Sequence, residues 1–113
     1  MNKRNLVTKH TNIIRGEVNY NSPSSYEIRS RESNEKIQSI NIQKGAVLDC
    51  GLNGIFIEDL LLICIDQLEH FQDSRFACQE NEDTLRHLRD ALHSKRSRQY
   101  ERSLRNVQGR NIK

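Results

Sequence analysis

The apolar spacing between Ile57 and Leu92 constrains this chain more than any other feature. Ile57, Leu60, Leu61, Cys64, Leu68 and Phe71 recur three and four residues apart, which places them on one face of a helix. Leu85, Leu88 and Leu92 repeat the spacing in a second segment. Glu58 and Asp59 open the first segment, where carboxylates suit the positive end of the helix dipole. Between the two lies HFQDSRFACQEN, residues 70–81, in which Phe71 and Phe76 bracket a polar Asp73–Ser74 pair. The pattern predicts two amphipathic helices joined by a short elbow into an antiparallel hairpin, the second running from about Ser74 to about Leu104. With that start Asn81 falls in register with Leu85, Leu88 and Leu92, which sets a carboxamide on an apolar stripe.

Upstream, Tyr26–Arg29 and Ile37–Ile42 alternate apolar and polar residues around Glu32-Ser33-Asn34-Glu35, a turn composition that predicts an antiparallel β-hairpin. Residues 1–25 are polar and broken at Pro23, and read as loop or as loop carrying one strand. Gly45 and Gly51-Leu52-Asn53-Gly54 punctuate the passage into the helices. The expected fold is α+β: a small N-terminal antiparallel β-sheet packed on a long C-terminal antiparallel helical hairpin. One domain is expected over 1–113, with loop or strand at 1–25, the β part at 26–50 and the hairpin at 55–105.

A chain of 113 residues with 35% apolar content supports only a modest core. Two helices and a small sheet leave helix surface uncovered, and symmetric association is the economical remedy. The longest apolar run, Ile55–Leu68, is broken by Glu58, Asp59 and Asp66, and the N-terminus lacks an apolar leader core, so neither membrane spanning nor secretion is expected. Cys50, Cys64 and Cys78 are odd in number and form no C-x-x-C pair, which argues against a disulfide framework or a thiolate metal cage.

Enzyme constellations are weak. His87, Asp90 and His93 are spaced by threes, which scatters them over a wide arc of helix, and no metalloprotease, P-loop, nucleophile-elbow or dinucleotide-binding string occurs. No catalytic residue, metal or cofactor is expected. The net charge is only +3, yet residues 86–113 hold nine of the basic side chains against Asp90 and Glu101, a local excess that favours an anionic partner. Arg98, Arg102 and Arg105 fall within roughly a 60° arc beside the leucine stripe at about 100° per residue. Arginine suits such a place because its planar fork grips phosphate oxygens and keeps its charge when partly desolvated. A satisfied core amide is the commoner role for Asn81, but a carboxamide also matches the Hoogsteen edge of adenine, and Phe71 offers a stacking face worth about 1–3 kcal/mol per base. These residue types suit a phosphorylated purine. The rival reading is a nucleic-acid-binding accessory protein using the basic second helix.

One run of residues goes further. Gln43-Lys44-Gly45-Ala46-Val47-Leu48-Asp49-Cys50-Gly51-Leu52-Asn53-Gly54, followed by Glu58-Asp59-Leu60-Leu61, Ile65-Asp66-Gln67-Leu68, Phe71-Gln72, Ala77-Cys78-Gln79-Glu80-Asn81, Leu85, Leu88, Ala91-Leu92, Arg98, Arg102, Arg105, Val107 and Gly109 resembles the phage Thoeris anti-defence sponge family. Its hairpin domain is shared with the phage anti-CBASS sponges. The resemblance covers about residues 37–109. Ala46 stands where the family usually has proline, Ile42 where it has an aromatic, and Arg110-Asn111 where Thr-His is common. The resemblance implies a phage protein of the host bacterial cytoplasm that binds, without cleaving, cyclic nucleotide immune signals: cyclic ADP-ribose isomers and, in some members, cyclic di- and trinucleotides at separate sites. It implies a homo-oligomer, a dimer or a hexamer built as a trimer of dimers, with pockets between subunits. It also implies that Phe71 and Asn81 meet the base and ribose side of the ligand and Arg98 and Arg102 its phosphates, with Arg105 and Lys44 as further contacts.

Overall fold

The computed structural model describes residues 5–105, which divide between Ile55 and Phe56 into two compact units. The layout is α+β, with the antiparallel sheet in the first unit and the helical hairpin in the second.

In the first unit, β1 (Thr11–Arg15), β2 (Val18–Asn19), β3 (Ser22–Pro23), β4 (Ser25–Ser30) and β5 (Lys36–Asn41) precede a four-residue helix, α1 (Val47–Cys50). The alternating runs form β4 and β5, and β1 adds a third antiparallel strand in the order β1-β4-β5. The register sets Ile13 opposite Ile28 and Tyr26 opposite Ile40, so one face collects a small apolar cluster while Arg29 and Glu27 pair on the other at 2.6 Å. β2 and β3 are joined by Tyr20 and Asn21, both at positive φ, as a two-residue primed turn requires.

The segment after β5 is held by two carboxamides. Gln43 Nε2 donates to the carbonyls of Gly51 at 2.7 Å and Gly45 at 3.3 Å, and its Oε1 accepts from the Asn53 amide at 2.9 Å. Asn53 returns the arrangement: Oδ1 accepts from the Lys44 amide at 2.7 Å, and Nδ2 donates to the Lys44 carbonyl at 2.9 Å. Gly54 is required by close approach, since a Cβ there would sit 2.6 Å from the Ile42 carbonyl carbon.

The second unit is α2 (Ile57–Gln72) followed by α3 (Gln79–Leu104). Asp59 Oδ2 accepts from the Phe56 amide at 2.8 Å. This is the returning half of a capping box, and the other half is missing because Phe56 carries no acceptor. The second helix begins at Gln79 rather than near Ser74, so the elbow is Asp73–Cys78. The Ser74 hydroxyl donates to the Phe71 carbonyl at 2.6 Å and accepts from the Phe76 amide at 3.1 Å, local bonds that compete with helix formation. Gln72 then fastens the far side. Its Oε1 accepts from the Cys78 amide at 2.9 Å and its Nε2 donates to the Cys78 carbonyl at 3.0 Å.

The face of α2 that meets α3 also differs from the predicted stripe. Glu58, Leu61, Ile65, Leu68 and Gln72 line the seam and Leu60 beside it is half-buried, whereas Ile57, Cys64 and Phe71 are exposed. On α3 the covered positions include Asn81, Leu85, Leu88, Leu92, Lys95, Gln99 and Arg102, which alternate four and three apart as a coiled-coil seam does. Ile65 at 7% exposure and Leu85 at 2% are the buried apolar side chains among the described residues. The seam is apolar only in its middle, with Gln72 and Asn81 at the elbow end and Glu58, Gln99 and Arg102 at the open end. Asn81 therefore sits in the first turn of α3, at a polar end of the seam and not within its leucines.

Candidate functional site

The two flanks of the hairpin carry different chemistry. On one, Glu58 accepts from Arg96 Nε at 2.8 Å and from Gln99 Nε2 at 3.1 Å, and the first of these bonds is the larger cause of a carboxyl held below its ordinary range. Glu69 and Arg89 meet at 3.5 Å, and Gln72 Nε2 donates to Glu82 at 3.3 Å. These bonds tie α2 to α3 along this flank. Toward the elbow it opens into a groove of about 540 Å³ bordered by Asp66, Glu69, Asp73 and Glu82. His70 lies there too, its ring bonded to the Asp66 carbonyl at 2.8 Å. That bond first, and the Asp66 carboxylate second, push its pKa up. Arg89 lines the groove as well and offsets Glu69, so Asp66, Asp73 and Glu82 leave it an acidic balance that disfavours phosphate.

The opposite flank is apolar on α2 and basic on α3. At about 100° per residue, Ile57, Leu60, Cys64 and Phe71 occupy roughly a 60° arc of α2, and Ala91, Arg98, Arg102 and Arg105 a similar arc of α3. The Glu58–Arg96 and Glu69–Arg89 bonds fix which flanks coincide, and both arcs fall on the side away from them. Ile57 is 54% exposed and Phe71 45%. Arg98 and Arg105 are exposed and Arg102 is half-buried. Arg105 pairs with Glu101 at 2.8 Å.

Along the hairpin axis the same residues separate. Phe71 and Asn81 lie within a turn of the elbow, one closing α2 and the other opening α3. Arg98 and Arg102 lie 17 and 21 residues beyond Asn81 on α3, which at 1.5 Å per residue is about 25 and 32 Å. One chain therefore does not bring its stacking and carboxamide residues together with its arginines. Lys44 belongs to the other unit. Its backbone is clasped by Asn53 and its side chain is exposed. The Asn81 side chain has no hydrogen-bond partner among the described residues. Sequence reasoning passed over Gln72, Gln43 and Asn53 as structural residues, because a carboxamide that bonds backbone leaves no periodic trace. Val107 and Gly109 lie outside the described residues.

The architecture is that of an α+β helical-hairpin protein whose distinctive surface is one flank of the hairpin. The model of the Acb2/Tad1 hairpin domain matches residues 34–94, more than half of the chain, and the chain belongs to this family. It is 35% identical over 86 residues to "Thoeris anti-defense 1" of Bacillus phage SBSphiJ7, an alignment that covers 76% of this chain and 61% of that relative. The chain thus spans less than two thirds of the relative's length. Lys44, Phe71 and Asn81 fall inside the family match, and the three arginines fall beyond it. Among the described residues no helix is long and apolar enough to cross a membrane.

Proposed function

We propose that this protein is an anti-defence sponge, acting in the host bacterial cytoplasm, that captures cyclic nucleotide immune signals without cleaving them. Cyclic ADP-ribose isomers are its first ligand class and cyclic di- or trinucleotides its second. The observation that carries the reading is the split of one flank: stacking and carboxamide residues at the elbow, arginines about 25 Å away on the same side. A second copy packed antiparallel on the exposed Ile57-Cys64-Phe71 stripe brings its arginine end to the elbow of the first, and by symmetry makes two pockets per pair. Each pocket has Phe71 and Asn81 from one copy for the base and ribose, and Arg98 and Arg102 from the other for the phosphates. The family resemblance adds Arg105 and Lys44 as further candidate contacts. A dimer, or a hexamer of three such dimers, satisfies this arrangement.

A sponge must hold its ligand well below signalling concentrations. Nanomolar affinity corresponds to about 12 kcal/mol, which a small ligand reaches only where it is largely enclosed. A pocket closed by two copies supplies that enclosure, which the open flank of one chain lacks. The test is to saturate the protein with a cyclic ADP-ribose isomer, remove unbound ligand, heat-denature and analyse the supernatant. Intact cyclic ligand, in proportion to protein, is the expected result. Linear product would replace sequestration with hydrolysis, and steeply salt-dependent binding of generic duplex in place of the cyclic ligand would favour the nucleic-acid reading.

A further inference from the structure

Two unrelated demands of the first unit meet at one peptide bond. The backbone between residues 43 and 53 is clasped by Asn53, whose oxygen accepts from the Lys44 amide at 2.7 Å and whose nitrogen donates to the Lys44 carbonyl at 2.9 Å. Aspartate could keep the first bond but not the second, since a carboxylate has no proton to give. The next residue must be glycine, because a Cβ at Gly54 would lie 2.6 Å from the Ile42 carbonyl carbon and 2.7 Å from the Gln43 nitrogen. The structure thus imposes Asn-Gly, the dipeptide most prone to deamidation because glycine leaves the following amide unhindered. No hydrogen bond among the described residues engages the Gly54 amide, and Asn53 is exposed.

From these contacts we infer that Asn53 is a deamidation site held in check by its own loop, and that loosening the loop starts an irreversible conversion. In the reaction the Gly54 nitrogen loses its proton to hydroxide and attacks Asn53 Cγ. The new N–C bond closes a succinimide while the Cγ–Nδ2 bond breaks and ammonia leaves. Water then opens the ring to aspartate or isoaspartate. The two bonds to Lys44 oppose the first step by fixing the plane of the carboxamide, and Gln43 reinforces them by accepting from the Asn53 amide at 2.9 Å. Aspartate sets a carboxylate oxygen against the Lys44 carbonyl and isoaspartate reroutes the backbone through Cβ and Cγ, so in neither product can the clasp reform as it was. Conversion would therefore release the backbone of Lys44.

The experiment incubates the full chain at mildly alkaline pH, folded and in concentrated urea, and follows Asn53 by peptide mapping for the mass gain of deamidation. Wild type is compared with Gln43→Ala. The expected result is slow conversion in the folded wild type, with an increase of about tenfold or more both in urea and in folded Gln43→Ala, the factor that loss of one or two such hydrogen bonds represents. Equal rates in folded and unfolded wild type would overturn the proposal. So would a folded Gln43→Ala that converts no faster than wild type. Should Gln43→Ala fail to fold, as read by circular dichroism, the comparison of folded and unfolded wild type decides alone.

Discussion

The two flanks of the hairpin are built from the same two helices and differ in what holds them. One is closed within the chain: Glu58 bonds Arg96 and Gln99, Glu69 meets Arg89, and Gln72 spans the elbow. The other carries an apolar stripe on α2 and an arginine arc on α3. Charged residues paired across a helix seam complete a surface, whereas exposed Ile57, Cys64 and Phe71 leave one to be covered. The difference separates the side that folds the hairpin from the side to which the proposed function is assigned.

Several substitutions would break or sharpen that contrast. Leu85, at 2% exposure the most buried side chain described, should be the most sensitive: Leu85→Ala should cost about 2–5 kcal/mol, enough to abolish cooperative urea unfolding in so thin a core. On the open flank, Asn81→Ala and Arg98→Ala should each weaken ligand capture by calorimetry at least about thirtyfold, the factor for about 2 kcal/mol when one partner of a desolvated polar contact is removed. Their helix content should stay at the wild-type value. Cys64→Glu places a charge on the exposed stripe of α2. It should dissociate the oligomer in sedimentation while changing the stability of the single chain by only about 0.5 kcal/mol.

On the closed flank, Gln72→Ala removes the staple at the elbow and should cost about 1–2 kcal/mol in thermal unfolding. The smallest effects are pH-dependent and opposite in sign. Glu58 has its folded pKa lowered from 4.5, so its contribution to stability is present above that value and is lost as pH falls through the lower folded one. His70 has its folded pKa raised from 6.5, so its contribution is present below 6.5 and is lost as pH rises through the higher folded value. Glu58→Gln should flatten only the acid limb of the stability profile, and His70→Ala only the limb above 6.5.

Much of this was legible in the residue order. The spacing of Leu61, Leu68, Leu85, Leu88 and Leu92 specifies two helices because no other element repeats at three and four, and the alternation at Tyr26–Arg29 and Ile37–Ile42 specifies two strands. The elbow was not. Asp73–Cys78 contains neither glycine nor proline, and what stops α2 and delays α3 is the Ser74 hydroxyl and the Gln72 carboxamide choosing backbone partners. The facing side of α2 was also hidden, because apolar residues occupy a wide arc and periodicity cannot rank Ile65 above Cys64 or Phe71. Residues 1–25 stayed open between loop and strand, because the short Ile13-Ile14 pair of β1 acquires a register only against β4. For the candidate site the residue types could be read, but not their separation along the hairpin, which depends on where α3 begins and on how much of it lies between Asn81 and Arg98.

The central claim is that each pocket is shared between two copies, and mixing two inactive variants tests it most directly. Asn81→Ala and Arg98→Ala should each fail to retain a cyclic ADP-ribose isomer alone. After the two are unfolded together and refolded as a mixture, a pair with one chain of each kind contains one pocket with both defects and one with none. Native mass spectrometry should then show mixed pairs carrying a single intact ligand. Mixed pairs that form and remain empty would contradict the account and return the site to a single chain.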